Sequence, residues 1–576
     1  MLSFLILAVI FSCKKENQTL GDVETNKKFD SYKEKFVLNL WKLNPDWAAS
    51  QGFHKYDSIL VVPDAKYRQS QLNFVKANLD SLKKYPIDQL SDNNKTDVYM
   101  MQNQLESTNF YISEMKSFEW NPSEYNVCGA FAEILNGNYD SLENRLKNFN
   151  LKMKNIPAFY ESAKANIKNP TIEHTKLAID QNLGGISVFE NDLIKALDNS
   201  KLSETEKIEI KANAKISEVV ITDYANWLKK LNNKSPRSFR LGEELYAKKF
   251  NFDIQSTFTA NEIFQKAISH KKDLHQKMFA ISDKLWTKYL VSAAKPKDSL
   301  ELIKQVIDKI SLQHTTADKF QSEIEKQIPE LTAFVKEKNL LFIDPSKPLV
   351  VRKEPDYMAG VAGASISAPG PYDKNANTYY NVGSMSGWEP ARSESYLREY
   401  NDYILQILNI HEAIPGHYTQ LVYSNQSPSI IKSIFGNGAM IEGWAVYTEK
   451  MMLESGYKNS DEMWLMYYKW NLRTTCNTIL DYSVHTKNMS KESAINLLTK
   501  EAFQQQAEAD GKWNRVTLSQ VQLCSYFTGY TEIYDFREEL KSKEKSNFDL
   551  KKFHEKFLSY GSAPVKHIKA LYLKKE

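Results

Sequence analysis

Residues that let a chain reverse direction are scarce here, with 20 glycines and 18 prolines among 576 positions. That is about 3.5% and about 3.1%, where ordinary soluble domains carry roughly 7% and 5%. A chain so short of turn formers is committed to long helices. From Asn26 to about Lys338 apolar residues recur at intervals of three and four, as in Tyr67, Leu72, Val75, Leu79 and Leu82. Breaks are expected near Asn121-Pro122, Asn169-Pro170, Gly184-Gly185 and Ser235-Pro236. No fixed period marks a solenoid.

The few turn residues are also clustered. Between Phe342 and Pro390, Pro345, Pro348, Pro355, Pro369 and Pro371 crowd together with several glycines. Two β-prone runs lie in this stretch, Leu349 to Arg352 and Thr378 to Val382. Helical patterning resumes at about Ser393 and continues nearly to the end. The expected fold class is therefore mainly α: a large bundle-like helical protein with a small β-sheet wedged between two helical regions. A prior of about 150 residues per domain gives three or four domains. The motif blocks described below run from Phe239 to Arg537, however, and imply one site assembled from distant segments. Two closely packed lobes are expected instead, a helical one over 14–340 and one over 341–576 that carries the sheet and the site.

Apolar residues make up 42% and charged residues 25%, which excludes disordered, collagen-like and multi-span membrane classes. Lys plus Arg is 75 against 71 Asp plus Glu, a net charge of +4. So diffuse a balance gives no argument for nucleic acid or an anionic membrane surface as partner.

Leu2 to Phe11 is an apolar run followed by Ser12, Cys13 and the polar residues Lys14 to Asn17. Ten apolar residues are too few to span a bilayer, which takes about 20 in a helix, but they match the core of a secretory signal. A small residue just before cysteine resembles the cleavage box of bacterial lipoproteins. Residues 1–13 then form a signal peptide ending at Cys13, which is lipidated and anchors the exported protein in the periplasm or at the outer membrane. An ordinary or unprocessed signal is the alternative. Cleavage leaves Cys128, Cys476 and Cys524, an odd number without C-x-x-C spacing. Neither a disulfide framework nor a thiolate zinc site fits; they read as small core residues.

Residues 411 to 417 are His-Glu-Ala-Ile-Pro-Gly-His. The helix leading in places Tyr396, Tyr400, Tyr403, Ile404, Ile407 and Leu408 on one stripe, which His411 continues inward. A lone histidine on an apolar face is more often a core residue than a ligand, so the rest of the motif decides. Helical zinc motifs place two histidines at i and i+4, with a glutamate next to the first as general base. Here the second is at i+6, about 120° around and about 9 Å along an unbroken helix, where the pair could not share a metal. Pro415 disfavours helix at Ile414 and Gly416 is free to take positive φ, so the inserted residues can loop out and return His417.

A catalytic zinc takes three protein ligands. Gly438 to Thr448 is apolar except for Glu442. A buried lone carboxylate is costly unless paired or bound to metal, which makes Glu442 the third candidate. Glu449, seven residues on, shares its face and could hold a ligand histidine from behind. A surface pair with Lys450 or Lys487 is the other reading of Glu449.

These residues resemble a family. His411 to Gln420 together with Glu442 to Glu449 is similar to the bacterial domain of unknown function 885 family, grouped with zincin metallopeptidases whose third ligand is glutamate. Phe239 to Tyr246 resembles its mid-chain block, and Tyr379-Tyr380-Asn381-Val382 the strand before the motif. Asp481 to His485 looks like its Asp-x-Gly-x-His segment, with Ser483 in place of glycine. Gln522, Tyr526, Gly529, Tyr530 and Arg537 resemble its C-terminal helix, although Gln520-Val521 stands where Pro-Gly is usual. The resemblance implies a zincin-type active-site helix pair beside the sheet.

The implied chemistry is hydrolysis of peptide bonds, with one Zn²⁺ on His411, His417 and Glu442 and with Glu412 as general base. Tyr526 or Tyr530, with His485 as competitor, are candidates to stabilise the oxyanion. The strand around Tyr380 could pair its edge with an extended peptide. Analogy with zincins that have large helical N-terminal regions points to short peptides as substrates. Two further readings stay open: a non-catalytic helical lipoprotein, acting as scaffold or solute-binding module, and a zinc hydrolase of esters or non-peptide amides.

Overall fold

The computed structural model describes residues 22–231, 233–354, 364–373, 377–427 and 429–574. The expected signal peptide and Cys13 lie outside these residues. The described chain is mainly α, with one three-stranded sheet. Its longest helices start where the sequence caps them. Ser203 with Glu206 and Thr259 with Glu262 form reciprocal capping boxes for Glu204–Lys230 and Ala260–Tyr289, and Ser460 caps Asp461–Thr486. Helices also stop near the four expected breaks. Among the described residues no helix is long and apolar enough to cross a membrane.

Two hydrophobic clusters underlie the packing. The smaller is built from Leu60 and residues between Tyr125 and Leu228. The larger runs from Phe29 to Ile568 and takes in residues on both sides of position 340, among them Leu331, Val335, Leu341 and Tyr380. A buried charge cluster ties the N-terminal helices to the second half of the chain. Asp97, fully buried on Asp92–Phe110, accepts from Lys33 Nζ at 2.7 Å and Ser429 Oγ at 2.6 Å, and also pairs with the buried Lys432.

The sheet has the order β1-β3-β2, with β1 Leu349–Lys353, β2 Ala364–Ser367 and β3 Thr378–Val382. β1 runs parallel to β3, with Leu349 opposite Thr378, and β2 antiparallel, with Ala364 opposite Val382. The sequence reading anticipates β1 and β3 and misses β2, whose four residues are too few for a clear alternation. The addition changes the role open to Tyr380. β3 is the central strand with both edges paired, so an extended peptide cannot add to it; among the described residues the outer edges belong to β1 and β2. Tyr380 instead braces the motif helix from below, its hydroxyl donating to Asn409 Oδ1 at 2.8 Å while Asn409 Nδ2 donates to Gln327 Oε1 at 2.6 Å.

A second correction concerns the approach to the motif. The stripe from Tyr396 to His411 is not one helix but two, Pro390–Glu399 and Asp402–Glu412. Asn401 interrupts it by offering its side-chain oxygen to the amides of Tyr403 and Ile404, the competition with the helix backbone that makes asparagine a cap. The stripe is real as a packing surface, since the rings of Tyr396 and Tyr400 pack at a tilt with centroids 4.6 Å apart.

Candidate metal centre

His411 lies in the last turn of Asp402–Glu412, and His417 is the first residue of the next helix, His417–Asn425. The four residues between the two helices, Ala413 to Gly416, turn the second imidazole back on the first. The rings stand 4.7 Å apart and nearly perpendicular. Gly416 is required for close approach and not, as expected, for positive φ: its φ is −74°, and a Cβ there would lie 1.9 Å from the carbonyl oxygen of His411. Trp444 fixes the loop from the other side, its indole N–H donating to the Pro415 carbonyl at 2.9 Å.

The third member comes from Gly438–Glu454. Glu442 Oε2 is 3.3 Å from His417 Nε2 and 3.7 Å from His411 Nε2. One donor atom from each of the three residues falls within 4.8 Å of the others, an arrangement that could hold a metal ion. Glu442 Oε2 and His417 Nδ1 are buried without a hydrogen-bond partner among the described residues. An orphaned carboxylate oxygen facing two imidazole nitrogens is the donor set of a two-His, one-Glu site.

Behind the triad, Glu449 is fully buried and bonds His411 Nδ1 at 2.7 Å, while the Trp470 indole donates to the same oxygen at 3.0 Å. This excludes the surface pair with Lys450 or Lys487. The carboxylate fixes the orientation of His411 and leaves Nε2 turned toward Glu442 and His417. Burial disfavours the His411 imidazolium, but the carboxylates of Glu442 and Glu449 override it and push the ring up to about 10. Burial raises the Glu442 carboxyl, yet the two histidines hold it well below the usual range.

Glu412 adjoins the triad and remains partly open to solvent. Burial, opposed by the two histidines, raises its carboxyl above the usual range. Tyr526 lies on Ser525–Glu544, which crosses the Glu442 helix at Gly443 and Gly529. Its phenol is raised by burial and then by the charge of Glu442, and it accepts from Arg515 Nη2 at 3.1 Å. Tyr530 is buried with its hydroxyl paired to that of Tyr467 and its ring against His270.

The structure does not bring His485 to the triad. His485 is 15 residues beyond Trp470 on the same helix, roughly 22 Å along its axis. Its Nε2 donates to the Val516 carbonyl at 2.9 Å, and its ring packs on Phe239 and Tyr246. Asp481 likewise builds structure, accepting from Tyr246 Oη and from the amides of Val521 and Leu523 to set the turn before the Tyr526 helix. Trp444, Trp470 and Asp481 were not assigned these roles from sequence. Trp444 lies within the block around Glu442, but nothing in local spacing marks an indole as a brace. Cys128, Cys476 and Cys524 are free and buried.

The chain is 54% identical to a protein described as a "putative lipoprotein of unknown function" from Shewanella oneidensis, whose structure it matches over 95% of this chain and 100% of that one with a TM-score of 0.87. A "putative lipoprotein" from Colwellia psychrerythraea shares the fold at 16% identity, with a TM-score of 0.76 over 95% of this chain and 98% of that one. No curated protein matches the sequence. The model of the family described as "Bacterial protein of unknown function (DUF885)" matches residues 45–571, and the chain belongs to that family.

Proposed function

We propose that the protein is an exported, lipid-anchored zinc metallopeptidase of short peptides, with the His411 and Glu442 helices as a zincin-type active-site pair. The observation that carries this reading is the convergence of His411 Nε2, His417 Nε2 and Glu442 Oε2, with Glu449 behind and a partly open Glu412 beside them. His411, His417 and Glu442 would hold one zinc ion. Bound there, zinc supplies Lewis acidity to a carbonyl oxygen and to an attacking water. Glu412 takes the proton of that water and passes it to the leaving amine. Tyr526, whose phenol is not tied to another tyrosine as that of Tyr530 is, donates to the developing oxyanion. Glu449 keeps the His411 ring in one tautomer, with its proton on Nδ1. Anchoring through Cys13 at the periplasmic or outer membrane is supported by the descriptions of the Shewanella and Colwellia proteins as lipoproteins.

Those descriptions name no activity, which favours a second reading, a helical lipoprotein that scaffolds or binds a solute. Metal analysis and a mixed peptide-library digest separate the two. Glu412→Gln should keep stoichiometric zinc and lose cleavage, and His417→Ala should lose both. Full cleavage by Glu412→Gln would remove the general base from the mechanism. Absence of both zinc and cleavage in the wild type would establish the scaffold, and zinc with ester but not peptide cleavage would redirect the substrate class.

A further inference from the structure

One face of the helix Gln506–Leu518 carries a run of charges beside the candidate site. Glu508, Lys512 and Arg515 stand at i, i+4 and i+7 and so lie on a single stripe about 10 Å long. The stripe meets the candidate site at both ends. At one end Glu508 pairs with Arg473 at 2.6 Å; the Arg473 guanidinium lies 4.6 Å from the ring of Trp470, whose indole bonds Glu449 behind His411. At the other end Arg515 donates to Tyr526 at 3.1 Å and to the Gln522 side chain at 2.7 Å.

Arg473 and Lys512 also feel the buried carboxylate of Glu399, which pairs with Lys469 at 2.7 Å, whereas Arg515 has no such partner among the described residues. Lys512 is 4% exposed, and its ammonium makes no hydrogen bond among the described residues. The one carboxylate within 4 Å of it is Glu508, at 3.8 Å and already taken by Arg473. Arg515 is exposed and has no carboxylate within 4 Å among the described residues. Arg473 Nε is buried without a partner among the described residues. Lys512 and the exposed Arg515 stand one turn apart beside Tyr526, where an anion could pair with both. Burial, and then the positive charge of Arg473, hold Lys512 well below its usual range, a shift that a bound anion opposes.

We propose that Lys512 and Arg515 form a subsite for a carboxylate of the substrate, so that the protein selects peptides bearing a free C-terminal carboxylate or an acidic side chain next to the scissile bond. The inference rests on the peptidase reading for the word substrate; the anion preference itself does not.

The test is titration calorimetry on the full chain carrying Glu412→Gln, so that no ligand is consumed. The probes are N-acetyl-Ala-Ala, its C-terminal amide and N-acetyl-Ala-Asp-amide. A free acid should bind at least about ten-fold tighter than the uncharged amide, the weight of one charge-assisted hydrogen bond. Preference for N-acetyl-Ala-Ala assigns the carboxylate to the C-terminus, and preference for N-acetyl-Ala-Asp-amide assigns it to a side chain. Arg515→Ala should erase the preference and Arg515→Lys should keep part of it; both changes are at an exposed position that folding does not depend on. Lys512→Met, of similar volume, should weaken the acids alone. Equal binding of acids and amide, or a preference untouched by Arg515→Ala, overturns the subsite. Acid preference without any hydrolysis by the wild type would leave the subsite standing and sink the peptidase.

Discussion

Gly443 and Gly529 meet backbone to backbone where the helix of Glu442 crosses the helix of Tyr526. A Cβ on Gly443 would lie 2.3 Å from the carbonyl carbon of Gly529, and one on Gly529 would lie 1.7 Å from the Ala439 carbonyl oxygen. The obstacles are main-chain atoms, so rotamer changes cannot relieve them. The contact sets how near a phenol on one helix stands to a carboxylate on the other. Gly529→Ala should therefore cost about 3 kcal/mol or more, at the upper end of overpacking effects, and lower activity beyond what the loss of folded protein explains. Urea denaturation with parallel cleavage assays measures both, and a variant within about 1 kcal/mol of wild type would contradict the contact.

Behind His411 the acceptor and its own donor can be removed separately. Glu449→Gln retains the volume but loses the charged acceptor, and Trp470→Phe retains most of the ring but loses the N–H. If Glu449 positions a ligand, Glu449→Gln should weaken zinc binding by about 10- to 100-fold, and Trp470→Phe should do so by less, since it acts at one further remove. Competition with a chromogenic chelator reads this without reference to activity. Unchanged zinc affinity in both variants would reduce Glu449 to a packing role.

Val521 has φ 71° and ψ −31°, a left-handed conformation that is costly for a β-branched residue, at the position where the resembling family has glycine. Its side chain is fully buried, and its amide bonds Asp481 Oδ1 at 2.9 Å. Packing and the Asp481 acceptor hold it there. Val521→Gly relieves the strain while losing buried surface; Val521→Ala loses most of that surface and stays strained. The glycine variant should be more stable than the alanine variant by about 1 kcal/mol, the reverse of the order at ordinary sites, in chemical denaturation.

His554 is wholly buried, with Nδ1 donating to the Leu340 carbonyl at 2.9 Å and Nε2 accepting from Tyr447 at 2.7 Å. Burial holds the ring down to about 4, against roughly 6.5 unfolded. Its folded value is depressed, so the unfolded chain binds the proton first as pH falls, and stability declines from about pH 6.5 to about pH 4. The contribution lost is about 3 kcal/mol. His554→Gln should be less stable at pH 7 but flatter between pH 7 and pH 4.5. An equally steep profile would assign the dependence to other groups.

The sequence by itself determined the elements and the chemistry-bearing residues. Scarce glycine and proline made the chain helical, and their cluster before residue 390 marked the sheet. The spacing of His411, Pro415, Gly416 and His417 required a helix break, and Glu442 stood out as one carboxylate in an apolar helix. All of these are local signals, legible because periodicity and breaker residues act within a few positions. Tertiary structure alone decided which distant groups meet. It split the tyrosine stripe at Asn401, placed β3 between two partners, and buried Glu449 against His411. It also took His485 away along its helix and set Arg515 beside Tyr526. Those outcomes depend on helix crossings such as Gly443 over Gly529 and on buried hydrogen bonds across tens to hundreds of residues, which no local pattern encodes.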